Sequence, residues 1–279
     1  MNTDTVLYEV EDSIANITLN RPRYRNAQNL AMLYALDEAF YRFAMDDDAK
    51  VAVLRGAGPS FSAGHDLGTP DVDYDQSFEH RTLWWDPVNH VGAAKWMARE
   101  EDAFLGLCRR WRELPKPTVA AVQGACVAAG MMLAWSCDLI VAADDATFSD
   151  PVLLMGVPGV ELFAHPWELG VRQAKEILFT ADSFTAERAH QLGMVNRVVA
   201  PEELDKEAAN LAAKIADKPQ FALALAKKAV NTCQDAMGYR LGGEVAFGLH
   251  QLAQTHNELT TGQLGLGADA KNMRARTVG

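Results

Sequence analysis

Cysteine is scarce in this sequence of 279 residues, and the four present, Cys108, Cys126, Cys137 and Cys233, show no C-x-x-C spacing. A disulfide framework and a thiolate zinc site are therefore excluded as organising devices, and buried reduced thiols are expected. Long hydrophobic runs are missing as well. The richest stretch, Thr118 to Ala143, is broken by Gln123, Gly124, Gly130, Ser136 and Asp138, short of the roughly 18 apolar residues that a membrane helix needs. Met1-Asn2-Thr3-Asp4-Thr5 sets no charged segment before an apolar one, so no secretory leader and a cytoplasmic location are expected. Basic residues are outnumbered: 26 Lys and Arg stand against 37 Asp and Glu, a formal charge of −11. Such a chain repels phosphate backbones and argues against a nucleic-acid partner. Its short basic clusters, Arg21 with Arg23 and Arg25, and Arg109 with Arg110 and Arg112, suit a small phosphorylated ligand better than a duplex. There is no G-x-S-x-G elbow, no H-E-x-x-H and no clustered His/Cys set, so no metal is expected. The run Gly124 to Gly130 is not a phosphate loop, because Met131-Met132 follows it where Lys-Ser/Thr belongs.

What is present reads as an α/β chain. Apolar residues make up 49% and charged residues 23%, ordinary for a globular protein. Two strands are expected near Val6–Val10 and Ile14–Leu19, followed by a helix from about Asn29 with Leu33, Leu36, Phe40 and Phe43 on one face. Val51-Ala52-Val53-Leu54 has the continuous apolar character of a strand buried on both sides. Thr69 to about His90 is polar and aromatic, with His80, Trp84 and Trp85, and is expected to be an insertion or lid. Helical spacing resumes from Trp96 to Trp111, and strand, glycine-rich turn and short helix then recur to about residue 199. After Pro201 the pattern turns helical, with Leu204, Ala208, Leu211 and Ile215 on one face. A core over residues 1–200 and a helical region over 201–279 are expected.

Two turns look chemical. Phe61-Ser62-Ala63-Gly64-His65-Asp66-Leu67 follows a buried strand, and Gln123-Gly124 leads through Val127-Ala128-Ala129-Gly130 into a short helix. Small residues let backbone N–H groups approach a ligand closely, and two such turns facing each other would aim two donors at one carbonyl oxygen.

In this order, the motifs resemble those of the crotonase (enoyl-CoA hydratase/isomerase) family. The likeness begins at Ile17-Thr18-Leu19-Asn20-Arg21-Pro22 and runs through Phe61–Leu67, Lys116–Gly124, Cys137–Ala143 and Gly156-Val157-Pro158-Gly159. It ends at Leu192-Gly193-Met194-Val195-Asn196. The resemblance implies a ββα spiral core, a C-terminal helical trimerisation region and a homotrimer or dimer of trimers. It also implies an acyl-CoA thioester as substrate, with no further cofactor. By position, the N–H groups of His65 and Ala129 would hold the thioester oxygen. Ala63, Asp66 and Leu67 would line the adenine and pantetheine channel. Arg23 and Arg25 are candidates for the CoA phosphates, since forked cations suit that task.

The departures concern the acids. Two glutamates serve hydratases of this family, and their positions fall on Met132 and Val152 here. Neither can carry a proton, so ordinary hydration is expected to be slow or lacking. Glu161 is the first candidate replacement. Its neighbours Val160, Leu162 and Phe163 suggest a pKa raised by desolvation. His165, four residues on, would pair with it across one helical turn, and Asp150 is a second acid. The chemistry stays open between hydration or isomerisation, decarboxylation, thioester hydrolysis and acyl-CoA binding without turnover.

Overall fold

The computed structural model describes residues 5–79 and 84–266; His80 lies outside them. The chain opens with a hairpin, β1 (Val6–Glu11) against β2 (Ile14–Leu19). Asp12 and Ser13 take positive φ at its turn, +49° and +66°, as a two-residue hairpin demands. Parallel strands β3 (Val51–Gly56), β4 (Thr118–Val122), β6 (Leu139–Ala143) and β9 (Arg197–Val199) extend the sheet in the order β1-β2-β3-β4-β6-β9. A second sheet holds β5 (Ala125–Val127), β7 (Thr147–Ser149) and β8 (Phe184–Thr185) in the order β5-β7-β8.

Alternation along the strands splits the core in two. Ala52 and Leu54 face α1 (Leu30–Met45) and the larger cluster, which contains Phe40, Phe43, Trp111 and Phe148. Val51, Val53, Val119, Ala121 and Val141 face the other way, onto Leu204, Ala208, Leu211 and Ala212 of α8 (Leu204–Ala216). The first helix after residue 200 thus covers the back of the sheet. Local chemistry sets the ends of these helices. Asn29 Oδ1 accepts the Met32 N–H at 3.1 Å to start α1, and Thr185 caps α7 (Ala186–Leu192), which Gly193 closes at φ +89°.

Between β3 and β4, α2 (Ala93–Arg99) runs into a π-helical stretch, Glu100–Gly106, and then α3 (Leu107–Arg112). The insertion ahead of α2 is fastened where it begins. Asp73 accepts the Leu30 and Ala31 N–H groups at 2.8 and 2.9 Å, and the Tyr74 hydroxyl donates to the Gln28 carbonyl at 3.0 Å. Two further helices, α9 (Gln220–Ala236) and α10 (Tyr239–Thr261), end the described chain. Both leave large apolar side chains outside, among them Phe221 at 76% and Leu259 at 82% exposure. Among the described residues no helix is long and apolar enough to cross a membrane.

Candidate active site

Two backbone turns in contact form one wall of the site. The loop after β3 is pinned by a single side chain: Asn26 Nδ2 donates to the carbonyls of Ala57, Ser60 and Phe61 at 3.0, 2.9 and 3.1 Å. Gln28 then bridges across His65, its N–H reaching the Gly64 carbonyl and its carbonyl taking the Asp66 N–H, at 2.8 and 2.9 Å. The His65 N–H lies between these bonds and takes part in neither. Opposite it, α4 (Ala129–Trp135) begins at Ala128, which holds φ +48° and ψ −115°, a strained conformation for a residue with a Cβ. Ala128 is fixed there by its N–H on the Ser149 carbonyl at 2.8 Å. Ala129 is the first helical residue, so its N–H has no partner within the helix. A Cβ on Gly64 (φ +87°) would stand 2.8 Å from the Val127 carbonyl and 3.3 Å from Ala129 N, and one on Gly130 would stand 2.5 Å from the Ser62 carbonyl. Only glycine permits this approach. Among the described residues neither the His65 nor the Ala129 N–H has a hydrogen-bond partner.

Ionisable side chains converge beside this wall. The His65 ring stacks on Phe104 with centroids 3.7 Å apart, and its Nε2 stands 3.3 Å from Glu161 Oε2. The other oxygen of Glu161 lies 3.8 Å from Nε2 of His250, an α10 residue, and that same nitrogen lies 3.7 Å from Glu100 Oε2. Exposure is 5% at Glu161, 4% at His250 and 2% at Glu100. The Nδ1–H of His250 donates to the Gly159 carbonyl at 2.8 Å, which aims Nε2 at the two carboxylates. Glu100 accepts the Gln251 amide at 2.6 Å and the Gln254 amide at 2.9 Å, and Arg99 Nη2 stands 3.9 Å away.

This setting drives the two carboxyls apart. Burial would raise Glu161, but the imidazoles of His65 and His250 outweigh it and hold the group down at about 2. The expected rise by desolvation is therefore corrected in sign, because two imidazoles distant in sequence, His65 and His250, face the carboxylate in space. Burial raises the Glu100 carboxyl, and the nearby charge of Glu161 raises it further. Burial opposes the charge on His250, yet Glu161 and Glu100 together raise its pKa. The ligand atoms of Glu100, Glu161 and His250 lie within 4.8 Å of one another, close enough for a cation. Gln254 Nε2, however, stands 3.0 Å from His250 Nε2 and covers the lone pair a metal would use. The set is better matched to holding protons.

The family model for enoyl-CoA hydratase/isomerase matches residues 9–262. The chain belongs to this family. It is 43% identical over 269 residues to EchA13 of Mycobacterium tuberculosis, covering 94% of this chain and 85% of that one. The crystal structure of a probable enoyl-CoA hydratase from Mycobacterium smegmatis superposes with a TM-score of 0.85 at 46% identity, over 94% of this chain and 99% of that one. A 1,2-epoxyphenylacetyl-CoA isomerase of Escherichia coli is 32% identical over 234 residues, 82% of each chain. The crotonase-type α/β fold expected from the motifs is thereby established.

Several expected members of the site lie elsewhere in it. His165 does not join Glu161. It pairs with Asp150, Nε2 to Oδ2 at 2.9 Å, and neither side chain has any exposed surface. The reason is local: the segment 161–164 is not helical, and α5 (His165–Leu169) begins only at His165. Asp150 also takes the Val160 N–H at 3.1 Å, so this pair clamps the segment that carries Glu161. The Asp66 carboxylate is fully buried and taken by Arg21 Nη2 at 3.0 Å and by the Thr69 N–H at 2.8 Å. It shapes the turn and offers a ligand nothing. Leu67, Arg23 and Arg25 are exposed, and the Arg25 carbonyl accepts the Ala63 N–H at 2.9 Å. Trp85 is exposed and meets Trp84 edge-on at 5.1 Å. Met132 and Val152 are buried among apolar neighbours.

Glu100 and His250 escaped the sequence reading, although both left a signal. Glu100 follows Trp96 by four residues and precedes Ala103 and Leu107 by three and seven, on the buried stripe of its helix. His250, Gln251, Gln254 and Asn257 recur at helical spacing after Phe247. That polar stripe faces inward.

Proposed function

We propose that this protein is an acyl-CoA enzyme that stabilises a thioester enolate. The thioester oxygen sits on the N–H groups of His65 and Ala129, each worth about 2.7–4 kcal/mol once negative charge develops there. Glu161, ionised at neutral pH, takes the proton from the carbon α to the thioester. The observation that carries this reading is the juxtaposition of two unpartnered N–H groups in touching turns with a buried carboxylate held by the side chain of one of them. His65 joins the two halves: its backbone faces the oxygen and its ring fixes the base. Ala63 and Leu67 flank the ligand channel, and Arg23 and Arg25 meet the CoA phosphates. The exposed apolar faces of α9 and α10 support assembly as a homotrimer or a dimer of trimers.

Hydration is the weakest member of the expected chemistry. Met132 and Val152 supply neither a base for water nor an acid, which favours proton relocation along the acyl chain. These same two residues also favour a second reading, binding of acyl-CoA without turnover. A panel of saturated, α,β-unsaturated and β,γ-unsaturated acyl-CoA esters, followed by mass spectrometry of products and by calorimetric binding, separates the two. Binding with conversion of at least one unsaturated ester supports the enzyme. Tight binding of all esters with no conversion supports the binding protein.

A further inference from the structure

Two buried carboxylates share one imidazole, and only one of them has a task in the reading above. Glu161 stands beside His65 and its unpartnered N–H. Glu100 stands behind, across His250, at the first residue of the π-helical stretch, a helix defect often found at functional sites. Separations of 3.7 and 3.8 Å between Nε2 and the two carboxylates exceed a hydrogen bond, but such contacts commonly tighten when substrate is bound. Everything around the pair supports proton exchange. Gln251 and Gln254 both donate to Glu100, yet their own side-chain oxygens are buried without a partner. Turning the Gln254 amide by half a turn exchanges a donor for an acceptor at His250 Nε2 and at Glu100 Oε1 together, so one residue serves either the neutral ring beside an ionised Glu100 or the protonated ring beside a protonated Glu100.

Resting on the acyl-CoA reading, we propose that Glu100 and His250 form a proton-holding pair behind Glu161, which keeps the proton removed from the substrate inside the protein and returns it to the acyl chain. The implied substrate is a β,γ-unsaturated acyl-CoA and the reaction is migration of its double bond. The Cα–H bond breaks and its proton passes to a Glu161 oxygen, while the electron pair moves onto the thioester oxygen held by His65 and Ala129. A proton from the Glu161–His250–Glu100 set then forms a bond at Cγ as the electron pair flows back, leaving the double bond between Cα and Cβ. Formula and charge are unchanged, and no co-reactant is consumed. Glu100 is a positioning residue here, since it acts through His250. The other charged and polar groups around the pair are Arg99 at Glu100, His65 at Glu161, the Gly159 carbonyl at His250 Nδ1, and Asp150, whose charge also reaches His250. A cluster with 2–5% exposure is shielded from exchange with water during one turnover, and its divided pKa values, one carboxyl raised and one lowered, supply an acid and a base together.

The test is isomerisation of a β,γ-enoyl-CoA in deuterium oxide, with the label at Cγ of the product read by mass spectrometry at early conversion. Wild type is expected to give mostly unlabelled product. Glu100→Gln and His250→Gln are expected to lower kcat about tenfold or more with little change in KM, and to shift the product to one deuterium. Full labelling by wild type overturns the proposal, and this arm needs no variant to fold. Unchanged labelling in Glu100→Gln, with wild-type thermal unfolding, overturns it as well. Failure of wild type to isomerise the ester defeats the acyl-CoA reading itself, and the proton-holding pair with it. Isomerisation with full labelling defeats the pair alone.

Discussion

His65 Nε2 stands 3.3 Å from Glu161 Oε2, while the backbone N–H of the same histidine lies in the turn that touches Ala129. In the proposed mechanism one residue therefore links the oxyanion position to the base. Its ring cannot swing away freely, because it is stacked on Phe104. That coupling makes the contribution of Glu161 separable from binding.

Glu161→Gln is expected to lower kcat by about 10²–10⁴-fold, with the dissociation constant of the acyl-CoA nearly unchanged. Proton NMR of a β,γ-enoyl-CoA during turnover reads the conversion, and calorimetry reads the binding. Because the group is held at about 2, the kcat profile of wild type should show no acidic limb in the ordinary carboxylate range. A limb at that range would assign the base to a group with an ordinary pKa.

Gly64→Ala tests the backbone wall. The added Cβ would meet the Val127 carbonyl at 2.8 Å in a left-handed conformation, so the two turns must separate. Acyl-CoA turnover should fall by two orders of magnitude or more (roughly the loss of one oxyanion donor), while the circular dichroism spectrum stays that of a folded protein.

Asp150→Asn should act on stability first. It leaves His165 buried with a weakened partner and loosens the Val160 N–H contact. Breaking a buried pair costs about 3–5 kcal/mol, read as a shift in the urea midpoint. A merely catalytic Asp150 would leave that midpoint in place.

Glu168 gives a pH signature away from the site. Burial pushes its carboxyl up to about 7, with Arg112 opposing. A carboxyl raised on folding stabilises the native state only while protonated, so that contribution is lost as pH rises from about 4.5 through about 7. Glu168→Gln should therefore gain about 3 kcal/mol on wild type between pH 4 and pH 8. Denaturant unfolding at the two pH values checks the sign.

The sequence made the scaffold and the backbone wall legible, and left the proton chemistry mostly hidden. Strands such as Val51–Gly56, the Asn29 and Thr185 caps and the Gly64 and Gly130 turns are local features, set by neighbouring residues and backbone sterics. Glu161 was visible because it follows the Gly156–Gly159 motif, but the sign of its pKa depends on His65 and His250, 96 and 89 positions away. The spacing joins His165 to the wrong carboxylate for a related reason: i, i+4 spacing binds two residues only where the chain is helical, and residues 161–164 are not. Glu100 and His250 come from α2's end and from α10, and only the packing of α10 against the core brings them together. Apolar periodicity reports which face of a helix is buried. It does not report that a polar group on that face has found a charged partner.

A structure with a stable acyl-CoA analogue bound tests the central claim most directly. The account predicts the carbonyl oxygen of the analogue at about 2.7–3.1 Å from both His65 N and Ala129 N, with its α carbon facing Glu161. A carbonyl bound away from these two nitrogens, or an α carbon turned from Glu161 toward Met132 and Val152, would contradict it.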